Sequence, residues 1–171
     1  MNRNGRLLAS AVTLTCLVAA VVTWLAWPSA PPAPGADRVR QYADTRACLL
    51  TGATGITGTA AAAWSGLQNA STSTRAMVSY LAVPGPATRA TAQPYLASLV
   101  QRQCSVIVAV GQAQVAAATT EAAKFGSVRF IVVAPRAASA AGAGVVRISP
   151  SPSAQVPTAV QAAVSTALRN G

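Results

Sequence analysis

The chain has 171 residues, 52% of them hydrophobic, with 13 Lys or Arg against 3 Asp or Glu and no histidine. That length suits one ordinary domain plus an appendage, and so apolar a composition excludes a disordered chain, which lacks the apolar surface to offset its ordering entropy. Without histidine there is no imidazole base or ligand, and Asp37, Asp44 and Glu121 alone cannot furnish a paired-carboxylate hydrolase or a hard-cation cage.

In chain order, residues 1–6 carry Arg3 and Arg6 and are expected to lie in the cytoplasm. Residues 7–27 (LLASAVTLTCLVAAVVTWLAW) hold no charge. At ~1.5 Å per residue such a helix crosses a ~30 Å hydrocarbon core, with Trp24 and Trp27 at the outer interface. Prolines 28, 31, 32 and 34 crowd every alanine that a signal peptidase would need. The segment therefore reads as an uncleaved, single-pass signal anchor in the cell membrane rather than a removed leader. Cys16 lies mid-segment without a lipoprotein flank and reads as a small hydrophobe. Residues 28–37 form a Pro/Ala-rich spacer, and residues 38–171 an extracytoplasmic α/β domain.

Within that domain, five β-rich apolar runs recur: Ala47–Thr51, Ala76–Val83, Cys104–Val110, Val128–Ala134 and Val145–Ile148. The first four are spaced as strand plus crossover helix, and their continuous apolar character is that of buried parallel strands. Helical patterns lie between them over Thr59–Ala70, Ala92–Gln103 and Gln112–Lys124. A last helix carries Val156, Val160, Val164 and Leu168 on one stripe. The spacing predicts a doubly wound, mostly parallel sheet of order 2-1-3-4-5 with flanking helices, binding ligands outside the strands' carboxyl ends.

The basic residues, twelve Arg and Lys124, are scattered singly, without interleaved aromatics. They read as a modestly cationic surface, not a nucleic-acid site. Glu121, Lys124 and Arg129 are expected to be solvated, and Trp64 to be a core anchor on the sheet. Ser65, Ser98 and Ser127 lack any base. No cofactor is called for.

Leu49–Gly58 (LLTGATGITG) satisfies the Gly-rich turn of short-chain dehydrogenases, after a strand and before a helix. Against an NAD(P)-binding domain stand the lack of any Tyr-x-x-x-Lys and a second strand ending in Leu81-Ala82-Val83-Pro84, with no acid for a ribose. An interaction module without a ligand is a further alternative.

A second likeness covers most of the domain: Val106–Gly111 (VIVAVG), Phe125–Val133, Cys48–Thr51, Gly55-Ile56, Ala63–Leu67 (AWSGL) and Leu99–Cys104 (LVQRQC). Together these resemble the basic-membrane-protein (Bmp), PnrA-like family of ABC-transporter substrate-binding proteins. The resemblance implies one lobe of a type I periplasmic-binding fold, a nucleoside-like ligand, and an ABC permease or a second, lobe-supplying chain as partner. Where the family's ligand loop is acidic, this chain has Gly52, Thr57, Gly58 and Thr59.

The candidate ligand-binding groups are Thr51, Gly52, Gly55, Thr57 and Gly58 in the first loop, Gly111 and Gln112 in the third, and Pro135 and Arg136 after the fourth strand. Hydroxyl, amide and backbone N–H groups, with the partial positive charge of the Thr59–Ala70 helix start, suit a neutral or anionic small molecule. No group is placed for proton transfer, so a non-enzymatic domain is expected. Cys48 and Cys104 open the first and third strands, outside the reducing cytoplasm. A disulfide and a pair of buried hydrophobes both remain open, because side chains of parallel neighbours suit a bridge poorly.

Overall fold

The computed structural model describes residues 42–135 and 144–170. The expected membrane anchor, the spacer, the boundary at residue 38 and Arg136 lie outside these residues. No helix among the described residues is long and apolar enough to cross a membrane.

Five strands form one sheet: β1 (Ala43–Thr51), β2 (Ala76–Ala82), β3 (Val106–Val110), β4 (Arg129–Val133) and β5 (Val145–Ile148). Their order is β2-β1-β3-β4-β5, and all four pairings are parallel. Four helices among the described residues flank them: α1 (Thr59–Thr74), α2 (Arg89–Gln101), α3 (Gln112–Glu121) and α4 (Val156–Arg169). Successive strand residues point to opposite faces. Leu49, Val106, Val108 and Ile131 meet Ala63 and Leu67 of α1 and Val156, Val160 and Val164 of α4. Cys48, Leu50, Ile107, Ala109 and Phe130 meet Leu96 and Leu99 of α2 and the alanines of α3. Every residue of β3 is buried, as expected for a central strand covered on both sides.

The α1–α4 packing depends on one small residue. A Cβ at Gly66 would stand 2.5 Å from the Pro157 carbonyl oxygen and 2.8 Å from the Val160 Cβ, so the helices approach along backbone. Trp64, half-buried two residues before Gly66, sets its ring edge-on to Tyr80 of β2 at 5.7 Å and 68°. It packs on the sheet's edge rather than standing free as a platform.

Several boundaries differ from the sequence expectation. β1 begins at Ala43, four residues before its apolar run, because Ala43 and Arg46 also pair with β2, across an irregularity of register between them. α2 begins at Arg89, where the Thr88 side chain accepts from the Thr91 N–H. Pro94 thus lies in the second turn and not the first, and its missing N–H removes the bond to the Ala90 carbonyl. Glu121 is buried at 6% exposure, not solvated: its carboxylate accepts from Gln93 Nε2 at 2.6 Å and pairs with Lys124 Nζ at 2.9 Å, joining α2 to α3.

Cys48 and Cys104 form a disulfide with Cα atoms 5.9 Å apart. They are not strand-opening neighbours. Cys48 is well inside β1, in register with Ile107, whereas Cys104 precedes β3 in the turn that follows α2. That turn closes with Gln103 in the left-handed region (φ 61°). The Gln103 N–H bonds the Val100 carbonyl at 2.9 Å and the Cys104 N–H bonds the Leu99 carbonyl at 3.1 Å. The reversal brings Cys104 over the helical face into which Cys48 points, so the objection drawn from parallel strands does not apply.

Candidate functional site

The loops that follow β1, β2 and β3 converge at the carboxyl edge of the sheet, where neighbouring connections leave toward opposite faces. A hollow of about 370 Å³ opens there, between the Gly52–Thr59 loop, Gly85–Ala87 and the start of α3 at Gly111–Gln114. A second, of about 980 Å³, lies on the other side of the α3 start and is lined by Arg89, Thr119, Thr120, Pro135 and Arg147 among others. The two share Thr59, Val110, Gly111 and Gln112. Both lie within the range of small-molecule sites. At the opposite edge, about 470 Å³ is bounded by Tyr42, Arg46, Arg102 and Cys104.

Of the expected ligand groups, Gly52, Gly55, Thr57, Gly111 and Gln112 line the smaller hollow, and Gly111, Gln112 and Pro135 the larger. Thr51 does not reach either: it is 1% exposed and its hydroxyl is turned onto the Gly52 carbonyl at 3.3 Å. Gly58 caps α1 through its backbone at φ 51° and lines neither hollow.

The helix start expected to bring partial positive charge is largely occupied. In α1 the Thr57 carbonyl accepts from both Ala60 N–H (2.9 Å) and Ala61 N–H (3.4 Å), and the Gly58 carbonyl from Ala62 N–H. In α3 the first bond is Val115 N–H to the Gly111 carbonyl, and no side chain caps the turn. The N–H groups of Gln112, Ala113 and Gln114 therefore precede the helical ladder and face the hollow's edge.

Gln114 belongs to this site and is not among the residues the sequence singled out. It is 3% exposed, and among the described residues its amide makes no hydrogen bond. Its Oε1 lies against Gly111, where any Cβ would collide with it, and its Nε2 is 3.9 Å from where a Cβ on Gly52 would stand. The amide is thereby wedged between the glycine turns that follow β1 and β3. A readable signal existed: Gln114, Ala117, Ala118 and Glu121 occupy i, i+3, i+4, i+7, a buried alanine stripe with a polar residue at each end.

No acidic side chain lines either hollow, and no cluster of metal-ligating side chains exists among the described residues. The available chemistry is hydroxyl, amide, backbone N–H and guanidinium. Such groups are able to bind and orient a ligand, and among the described residues no nucleophile lies beside a base in either hollow.

No protein-family model matches the chain, and no curated protein matches it. Among solved structures, the fold is similar to a fragment of a presumed lipoprotein from Peptoclostridium difficile 630, with a TM-score of 0.60 and 13% identity over 72% of this chain and 98% of that one. A transcriptional activator of the comK gene from Bacillus halodurans aligns at 18% identity over 60% of this chain and 33% of that one, with a TM-score of 0.47. The first of these likenesses speaks to the fold alone.

Proposed function

We propose that this chain is a membrane-anchored, extracytoplasmic and non-catalytic ligand-binding domain, related to one lobe of the Bmp/PnrA-like substrate-binding proteins. The observation that carries the reading is the pair of adjoining hollows at the carboxyl edge, lined by donors and apolar groups and by no acid–base pair. The resemblance in the sequence suggests a nucleoside-like ligand, delivered to an ABC permease or enclosed with the help of a lobe-supplying partner chain. A single lobe covers one side of a ligand, where good sites bury ~70–90% of its surface, so affinity for the lone chain is expected to be micromolar or weaker.

The dehydrogenase-like alternative needs open N–H groups at the start of α1 to receive a pyrophosphate. The use of two of them by the Thr57 carbonyl counts against it.

A thermal-shift panel of nucleosides, NAD(P) and amino acids on the full-length protein in detergent tests the reading. Ligand binding raises the melting temperature as RT ln(1 + [L]/Kd), so millimolar ligand reports even weak sites. Nucleosides are expected to stabilise the protein without turnover. Stabilisation by NAD(P) with hydride transfer, or by nothing in the panel, would contradict it.

A further inference from the structure

Two independent features meet in the smaller hollow: the open first turn of α3, and the side chain of Gln114, a residue 3% exposed whose amide makes no hydrogen bond among the described residues. Gln114 is buried as a residue, yet its amide atoms are not among the fully buried polar atoms and keep access to the hollow, where a ligand oxygen can take the place of water. The amide sits between the Gly52 and Gly111 turns, in the room left by their missing side chains, and lines the hollow.

The chemistry around the amide is one-sided. The Gln112, Ala113 and Gln114 N–H groups are donors, the Gln114 Nε2 is a donor, and the hydroxyls of Thr54, Thr57 and Thr59 can donate at the rim. The α3 start adds partial positive charge, which favours an anion. Among the described residues, no lining residue is acidic.

We infer that this hollow holds the phosphoryl group of a small phosphate monoester against the first turn of α3, with the Gln114 amide completing its donors. A phosphoryl group offers three acceptor oxygens to this convergent set, more than a planar carboxylate can turn toward it. The inference rests on the ligand-binding reading above and narrows it from neutral nucleosides to their phosphorylated forms. Gly111 is required twice over, for its φ of 109° and for the room its missing Cβ leaves to Gln114.

The test measures dissociation constants of adenosine 5′-monophosphate, adenosine and inorganic phosphate for the full-length protein, at ionic strength matched with sodium chloride. The monophosphate is expected to bind at least about tenfold more tightly than adenosine, and inorganic phosphate to compete with it. Gln112→Pro removes one N–H at the helix position that best tolerates proline, and Gln114→Leu removes the amide at similar volume. Each is expected to weaken the monophosphate about tenfold and leave adenosine within about twofold, whereas Gly126→Ala, outside both hollows, leaves both unchanged. Ligand-free melting temperatures of the variants separate a lost contact from a lost fold. Adenosine binding as tightly as its monophosphate, or a phosphate preference that survives Gln112→Pro and Gln114→Leu, would overturn the inference and leave the ligand-binding reading standing. Binding of none of the three probes would overturn both.

Discussion

The carbonyl oxygen of Pro157 and the α-carbon of Gly66 face each other so closely that a Cβ added to Gly66 would stand 2.5 Å from that oxygen. Neither partner is a flexible side-chain end, so the added methyl must push α1 and α4 apart. Gly66→Ala is expected to destabilise the domain by about 1–3 kcal/mol despite alanine's better helix propensity. Gly126→Ala, with nothing near its Cβ, is the matched control and should be neutral within about 0.5 kcal/mol. Urea midpoints of the two variants give the comparison.

The Cys48–Cys104 bridge closes a loop of sequence separation 56 between the centre of β1 and the turn after α2. Chain-entropy arguments assign such a loop about 4 kcal/mol. Both cysteines are buried, at 1% and 2% exposure, so reductant is expected to reach them only through unfolding. Cys48→Ser should lower the urea midpoint markedly, and reductant should lower the wild-type midpoint to a similar extent without affecting the variant. Equal midpoints for wild type with and without reductant would contradict the bridge.

The Glu121 carboxylate has one half-buried partner, Gln93, and one exposed partner, Lys124. Glu121→Ala strands the Gln93 amide between α2 and α3 and is expected to cost about 1–3 kcal/mol. Lys124→Ala removes a side chain that is 63% exposed and should cost less than about 1 kcal/mol. Thermal unfolding of both variants reads the difference, and equal losses would show that the lysine, not the glutamine, holds the carboxylate.

Topology is testable without any ligand. The full-length protein is expected to fractionate with membranes, and protease added to intact protoplasts should digest the domain beyond residue 38. Complete protection of that domain would reverse the orientation drawn from Arg3 and Arg6.

The strand order was readable because buried parallel strands announce themselves as unbroken apolar runs, and Val106–Val110 is such a run. The first half of β1 was not, since Ala43–Arg46 alternate in exposure and become strand only by pairing with β2. The first turn of α2 hinged on the Thr88 cap, a short local signal preceding the apolar pattern. Glu121 and Gln114 illustrate a harder limit. Their burial depends on partners and walls brought from other elements, Gln93 on α2 in one case and the Gly52 turn in the other. Local periodicity places both residues on the buried face of α3, yet it cannot say that one finds a partner and the other faces a hollow. Likewise the Gly-rich run after β1 suggested a phosphate turn, but the first-turn amides of α1 that it would present are largely taken up by the Thr57 carbonyl. The open turn belongs to α3, whose sequence shows no glycine motif beyond Gly111.

Hydrogen exchange on the full-length protein, with and without whichever nucleoside or nucleotide raises its melting temperature most, tests ligand binding at the carboxyl edge most directly. Peptides covering residues 52–59 and 111–118 are expected to exchange more slowly with ligand present, while those covering the opposite edge at Arg46 and Arg102 stay unchanged. Protection confined to the hollow beside Tyr42, Arg46 and Arg102, or no stabilising compound at all, would contradict a ligand site at the carboxyl ends of these strands.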